Sequence, residues 1–286
     1  QNDLNGIAST LRRVQNDLQH WSYDKFGSVR TSIKVIWEKL EELRSVSSYR
    51  GPTVEEHNLI RQLNNMLSRE ETMMRQRSRV QWLRDGDGNT AFFHAKAKER
   101  SRQNHIGPLT KEDGSLTTNQ SELKAMAEDF FAQLFQAQEE LNPSLVTRFV
   151  QKKVTTAMNL ILDAPFTEDE ISKALFSMGP NKSPGVDGFT AGFFQKHWDL
   201  VKDDVVPAVL DFLNGGVMPE DINKIVLGLI PKVKHPQFLS QYRPISLCNV
   251  LYKICSKVLA NRLRIIIDDI IGEEQSAFIP GRLIAD

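Results

Sequence analysis

Eight basic residues and no acidic residue lie between Ile222 and Ile267, a stretch of 46 residues. The whole chain is neutral, with 36 Lys and Arg against 36 Asp and Glu, so this stretch is a local excess of positive charge. Clustered positive charge attracts phosphate groups, and we interpret the stretch as phosphate-binding. The alternative is a solvated surface whose acidic partners come from elsewhere in the fold. The basic residues are Lys224, Lys232, Lys234, Arg243, Lys253, Lys257, Arg262 and Arg264.

A loop rich in glycine and proline precedes the basic stretch and runs from Gly179 to Gly188. It ends in Pro-Gly-Val-Asp-Gly, a sequence typical of tight turns, in which Gly185 and Gly188 can take positive φ. A Walker phosphate-binding loop is excluded, because Lys182 is not preceded by Gly and the glycine spacing differs. We interpret Asp187 as a turn or capping residue, with a metal ligand as the alternative.

Carboxylates suited to two-metal catalysis are not recognisable in the sequence. Asp268 and Asp269 are adjacent, and neighbouring residues of a helix point about 100° apart, so we interpret this pair as a solvated helix end. The sequence aromatic-x-Asp-Asp occurs nowhere in the chain. Cys248 and Cys255 lack zinc-site spacing, and we predict reduced, apolar packing roles for them in an intracellular protein.

The elements that must position these residues are mostly helical. Apolar residues recur every three or four positions over residues 7–18, 33–43 and 59–74, which favours packing between helices; a coiled coil is possible but spans few heptads. Capping boxes at Thr53 and Thr167 predict two helix starts. Residues 249–268 also have helical spacing, and the apolar residues predicted on their inner side are Ile254, Val258, Leu259, Leu263 and Ile266.

A β-hairpin is predicted where residues 224–232 and 242–247 flank a polar turn. Pro231 and Pro244 cannot donate to a sheet ladder, so these strands belong at an edge or a tip. The predicted fold class is therefore mostly α with a small β-hairpin (α+β). We divide the chain into a helical region at 1–100, a connecting helical segment at 101–163 and a third region at 164–286. No apolar run approaches the ~20 residues that cross a bilayer, so we expect no membrane partner.

Five sequence blocks follow one another in a fixed order in the second half of the chain. Each block is given with the position of its first residue: Asn-Lys-Ser-Pro-Gly-Val-Asp-Gly-Phe from Asn181, Leu-Ile-Pro-Lys from Leu229, Tyr-Arg-Pro-Ile-Ser-Leu from Tyr242, Leu-Tyr-Lys-Ile from Leu251, and Gln-Ser-Ala-Phe from Gln275. In this order they strongly resemble the fingers region of reverse transcriptases of non-LTR, LINE-type retrotransposons, especially those of plants. Residues 82–94 resemble the linker block that precedes the polymerase in the same plant elements. The resemblance covers most of residues 80–286.

The resemblance implies roles for particular residues. Lys232 and Arg243 match residues that grip the triphosphate of the incoming dNTP, a task that suits the planar fork of Arg. For Arg243, the alternative is a salt bridge that anchors the hairpin. The fingers-loop residues expected near the template are Lys182, Gly185, Asp187 and Gly188. The residues expected to contact nucleic acid are Lys253, Lys257, Arg262, Gln275 and Arg282.

The implied function is RNA-directed DNA polymerisation, with an RNA template, a DNA primer and dNTP as partners. In the family, the Asp residues that bind Mg²⁺ lie in the palm domain, downstream of these blocks. We therefore expect no catalytic residue, metal or cofactor in this chain, Mg²⁺ only in the complete polymerase, and no activity without the palm. The alternative is a non-catalytic fragment that binds nucleic acid or pairs through its helices. An intracellular location is expected, without a choice between nucleus and cytoplasm.

Overall fold

The chain is mostly helical in the computed structural model, with two short two-stranded sheets, which confirms the predicted fold class. The structure describes residues 3–45, 49–78, 90–111, 113–136, 148–149, 151–272, 275, 279 and 281–282. Two compact units are present. Unit 1 consists of residues 1–13, 119–228 and 244–286, and unit 2 consists of residues 14–118 and 229–243. No helix of the described part is long and apolar enough to cross a membrane.

The helices of the N-terminal half are α1 (Leu4–Phe26), α2 (Val29–Ser45), α3 (Val54–Ser78) and α4 (Thr90–Gln103). In unit 2, α2 and α3 pack together through Ile36, Leu40 and Leu63, which are the residue types and spacing that the apolar pattern predicts. The helix start predicted at Thr53 is confirmed, since the Thr53 hydroxyl accepts the Glu56 N–H at 3.1 Å. The buried Glu56 carboxylate does not complete a capping box. It binds Arg44 and the Tyr49 hydroxyl instead.

Unit 1 contains the remaining helices, which are α5 (Gln120–Phe135), α6 (Thr156–Leu162), α7 (Glu168–Phe176), α8 (Ala191–Lys196), α9 (Trp198–Leu213), α10 (Glu220–Asn223) and α11 (Val250–Ile270). Its core is built from fully buried apolar side chains of α7, α8, α9 and α11, among them Ile171, Phe194 and Ile254. The capping box predicted at Thr167 is present in both directions. The Thr167 hydroxyl accepts the Glu170 N–H, and the Glu170 carboxylate accepts the Thr167 N–H.

Helix α11 confirms the helix predicted at 249–268 but corrects its inner face. Ile254, Val258 and Ile266 are buried as predicted, whereas Leu259 and Leu263 are 47% and 43% exposed. Residues four apart on a helix form one row, and here the buried row passes through Arg262 between Val258 and Ile266. Leu259 and Leu263 each lie one residue, about 100°, beyond this row and therefore face outward.

The predicted hairpin is present as β3 (Val226–Pro231) and β4 (Tyr242–Leu247). A short 3₁₀ helix, Leu239–Gln241, lies in its connection. The second sheet pairs β1 (Leu109–Thr110) with β2 (Leu116–Thr117) in antiparallel register, Leu109 opposite Thr117. Two-residue strands are too short to show an alternating pattern, so the sequence did not predict them.

Candidate functional site

The pairing of β3 with β4 decides which side chains share a face of the hairpin. The Lys232 N–H donates to the Gln241 carbonyl at 2.8 Å, which sets Pro231 opposite Tyr242 and Ile230 opposite Arg243. Directly opposed residues of an antiparallel pair lie on the same face, and the face alternates along each strand. Arg243 lies in β4 and Lys232 directly follows β3, so both cations lie at the tip end of the paired strands. Tyr242 lies on the other face and is buried.

The two cations at the tip end differ in how they are held. The side chain of Arg243 is exposed and makes no hydrogen bond or ion pair with any residue that the structure describes. The anchoring salt bridge considered for Arg243 is thus not formed within the described part of the chain. Lys232 is also exposed, and its Nζ donates to the Ser240 carbonyl at 2.8 Å. An ammonium has three N–H donors, so two remain for an anion.

Hydrogen bonds within unit 2 fix the tip of the hairpin. The Gln241 side chain accepts the N–H groups of Gln237 and Phe238 at 2.7 and 3.2 Å. The Gln237 carbonyl accepts the Thr110 N–H of β1 at 2.8 Å, so the tip is tied to the β1–β2 pair. These bonds order the backbone next to Lys232 and Arg243 before a ligand arrives, which lowers the entropic cost of binding.

The Gly179–Gly188 loop of unit 1 forms the predicted turn in a partly different way. Gly188 has a φ of +74°, as expected, but Gly185 does not take positive φ. Gly185 is required by space instead, because a Cβ there would overlap the backbone N of Asn249 and lie 2.6 Å from the carbonyl carbon of Cys248. The Asp187 carboxylate accepts the Phe189 N–H at 3.2 Å, so its interpretation as a turn residue is confirmed. Burial raises the pKa of Asp187.

Two lysines of the basic stretch lie on one face of α11, four residues apart, and differ in their contacts. The Nζ of Lys253 donates to the Ser183 carbonyl at 3.1 Å and so fastens the loop that carries the exposed Lys182. Lys257 is partly exposed and has no ion pair or hydrogen bond with the residues described. Nucleic-acid contacts by these two lysines remain predictions.

Arg262 is enclosed by the fold, and the expected nucleic-acid contact does not fit its geometry. Its Nε and one terminal nitrogen donate to the Glu170 carboxylate at 2.7 and 2.9 Å. That terminal nitrogen also donates to the Pro165 carbonyl, and the other terminal nitrogen donates to the carbonyls of Leu162 and Ala164. All five N–H donors of the guanidinium are therefore engaged, and its Cζ lies 3.7 Å from the centre of the Phe166 ring. Arg262 joins α11 to the segment between α6 and α7 and leaves no donor for a phosphate.

The pKa values of this pair follow from the same contacts. The hydrogen bond from Arg262 holds the pKa of Glu170 below its usual value, and the bond to Glu170 raises the pKa of Arg262. Both shifts favour the charged forms of the two groups.

Arg282 also donates hydrogen bonds to backbone carbonyls. Its guanidinium donates to the carbonyls of Gly272 and Gln275, and to those of Asp268 and Ile271 at 3.4 Å. A cation beside the last carbonyls of α11 interacts favourably with the helix dipole. The expectation that Arg282 contacts nucleic acid therefore competes with this capping role. Gln275 is exposed, and its own contact with nucleic acid remains a prediction.

The two interpretations of the basic stretch apply to different residues. Acidic partners from outside the stretch are present for Arg262 and for Lys224, whose Nζ lies 3.1 Å from Asp221 and 3.4 Å from Glu220. The hydrogen bonds that Lys224 donates to Asp221 and Glu220 raise the pKa of Lys224. The cations without an ion pair in the described ranges are Lys232, Lys234, Arg243, Lys253, Lys257 and Arg264.

Other ligand-binding groups are scarce where the structure describes the chain. Within those residues, no three His, Cys, Asp or Glu side chains are grouped so that they could hold a metal ion. The Cys255 thiol is buried, which raises its pKa to about 12 and suits the predicted packing role. Residues 82–89 of the predicted linker block lie outside the described residues.

The sequence is similar to that of an uncharacterised 149 kDa protein of transposon TX1 from Xenopus laevis, with 34% identity over 231 residues. The chain is related to a transposon protein. The similarity covers 78% of this transposon-related chain, which spans 17% of the length of that relative. No protein-family model matches the chain.

Proposed function

We propose that this transposon-related chain is the fingers region of a non-LTR retrotransposon reverse transcriptase, an RNA-directed DNA polymerase. The observation that carries the proposal is the pair of exposed cations, Lys232 and Arg243, at the tip end of a hairpin whose backbone is tied by hydrogen bonds. The similarity to a transposon protein and the ordered sequence blocks support the same assignment. The ligands are then a dNTP, an RNA template and a DNA primer.

The proposed task of the hairpin is to bind the triphosphate. In nucleotidyl transfer the primer hydroxyl attacks the α-phosphate, and catalysis depends mainly on positioning and on stabilisation of negative charge. Arg243 can donate two parallel charge-assisted hydrogen bonds to phosphate oxygens, and Lys232 adds a point charge beside it. The role that we assign to this chain is therefore to bind and orient the triphosphate.

Arg243→Ala in the full-length protein tests the proposal. A hydrogen bond to a charged group contributes about 1.5–3 kcal/mol and Arg243 can make two, so we expect KM for dNTP to rise at least roughly tenfold. Arg264→Ala is the matched control, because Arg264 is an exposed arginine of α11 without an ion pair in the described part of the chain. If both variants incorporate dNTP with wild-type kinetics, the assignment of Arg243 to the triphosphate fails.

A second candidate function is nucleic-acid binding without polymerase activity. It is favoured by the six cations of the acid-free stretch that have no ion pair in the described residues. Binding to single-stranded RNA should then weaken with salt, with a slope of about 0.7 for each phosphate contact. Loss of such binding in Lys257→Ala, together with an absence of dNTP incorporation by the full-length protein, would favour this candidate over the first.

A further inference from the structure

Asn249 occupies the residue before α11, where an Asn side chain usually caps the helix by accepting an N–H of the first turn. Here the side chain makes no capping hydrogen bond. It is buried, and its amide group is directed to two segments that are distant in sequence. A capping hydrogen bond typically stabilises a helix by about 1 kcal/mol. Because the buried Asn249 side chain does not make this bond, its role must come from its other hydrogen bonds.

The amide of Asn249 connects the Gly179–Gly188 loop to α10. Its Oδ1 accepts the Asp187 N–H at 3.4 Å. Its Nδ2 donates to the carbonyls of Asp221 and Ile222 at 3.2 and 3.4 Å. Buried carbonyls and N–H groups need such partners, because an unpaired one costs about 1–3 kcal/mol. One side chain thereby satisfies groups from two elements of unit 1.

The contact between the loop and Asn249 leaves no room for adjustment. A Cβ at Gly185 would overlap the side-chain and backbone atoms of Asn249. Lys253, one turn further along α11, donates to the Ser183 carbonyl and holds the other half of the loop. Asp187 points inward to its own turn, whereas Lys182 and Val186 are exposed. These contacts hold the loop against α11, and Lys182 is an exposed residue of the loop.

We propose that Asn249 is a positioning residue, whose side-chain amide holds the Lys182–Gly188 loop against α10 so that the loop presents Lys182 to the template strand. The template as ligand rests on the proposed polymerase function. The fastening of the loop does not, because it depends on the hydrogen bonds of unit 1. Asn249 is buried, so the role we propose for it acts through the loop.

Hydrogen exchange tests the fastening in the full chain. In Asn249→Ser, the Asp187 amide loses its acceptor, and we expect its exchange to become roughly tenfold faster. The matched control is Asn223→Ser, because Asn223 is an exposed asparagine of α10 whose side chain has no partner among the described residues. Unchanged exchange at residues 185–188 in Asn249→Ser would overturn the proposal.

The positioning role is tested by a comparison of two affinities in the full-length protein. Asn249→Ser and Lys182→Ala should each weaken binding to an RNA–DNA template-primer with a 5′ RNA overhang about tenfold, and leave KM for dNTP unchanged. Only Asn249→Ser should also speed exchange at Asp187. Faster exchange with wild-type template affinity would mean a purely structural role and would overturn the proposal.

Two further outcomes distinguish a failure of the role proposed for Asn249 from a failure of the proposed polymerase function. If Asn249→Ser does not fold, Lys253→Met removes the other loop contact, and we expect faster amide exchange at Lys182 and Ser183. Unchanged exchange there would count against the proposal. If the wild-type protein binds template-primer but does not extend it, the polymerase function fails. The affinity comparison then still decides whether Asn249 positions the loop.

Discussion

Replacing Arg262 with Met should destabilise the fold far more than the loss of a surface charge would. The methionine removes five N–H donors from a side chain that is 6% exposed, and it leaves the Glu170 carboxylate and three backbone carbonyls without their partner. Removing one member of a buried ion pair costs about 3–5 kcal/mol. Glu170 retains some solvent exposure, so we expect a loss near 3 kcal/mol, the lower end of this range.

Urea unfolding followed by circular dichroism measures this loss. Arg264→Met is the matched control, since Arg264 lies two residues away on α11, is exposed and forms no ion pair in the described residues; its free energy of unfolding should change by less than about 0.5 kcal/mol. If Arg262→Met loses less than about 1 kcal/mol, the range of exposed ion pairs, the proposed role of Arg262 in joining α11 to the segment before α7 is refuted.

The same variant tests the original expectation that Arg262 contacts nucleic acid. A phosphate-contacting cation contributes about 0.7 to the slope of log affinity against log salt for a single strand. At a temperature where both proteins are folded, Arg262→Met should keep the wild-type slope for single-stranded RNA, because its guanidinium has no free donor. A slope smaller by about 0.7, the contribution of one phosphate contact, would show that the internal hydrogen bonds of Arg262 break when RNA binds.

Three more predictions concern stability. The pKa of Glu170 is lowered in the fold, so its ionised form stabilises the protein above the unfolded pKa of about 4.3, and this stabilisation is lost as the pH falls through the folded pKa. In Glu170→Gln, the free energy of unfolding measured by urea melts should therefore fall less steeply as the pH is lowered. The buried Tyr242 hydroxyl has no hydrogen-bond partner among the residues that the structure describes, so Tyr242→Phe should leave the urea midpoint unchanged or raise stability by up to about 1 kcal/mol, and a clear loss would reveal a partner. Gly188→Ala should lower the free energy of unfolding by about 1 kcal/mol because Gly188 has a positive φ. Gly185→Ala should lower it more, because the new Cβ would overlap backbone atoms. Equal losses of stability in the same urea melts would contradict this reasoning.

Local patterns predicted the elements well because their causes lie within a few residues. The capping box at Thr167 needs a partner three residues away, and the hairpin needs two β-rich segments around a polar turn. The role of Asn249 could not be predicted in this way. Its partners Asp187 and Asp221 lie 62 and 28 residues away, and no local pattern marks a buried amide that joins them. The need for glycine at 185 likewise comes from a contact with Cys248 and Asn249.

Arg243 and Arg262 count equally toward the positive charge of the basic stretch, but Arg243 is exposed and Arg262 is buried. Arg262 falls at the i+4 position between Val258 and Ile266, in the buried row of α11, and an arginine in such a row must find internal acceptors because an unpaired buried charge is very costly. Arg243 lies on the exposed face of a hairpin, beside a second cation, where no fold-internal acceptor is needed. The position of a basic residue relative to the apolar repeat, rather than the number of charges, is therefore the sequence signal that distinguishes a structural arginine from one available to phosphate.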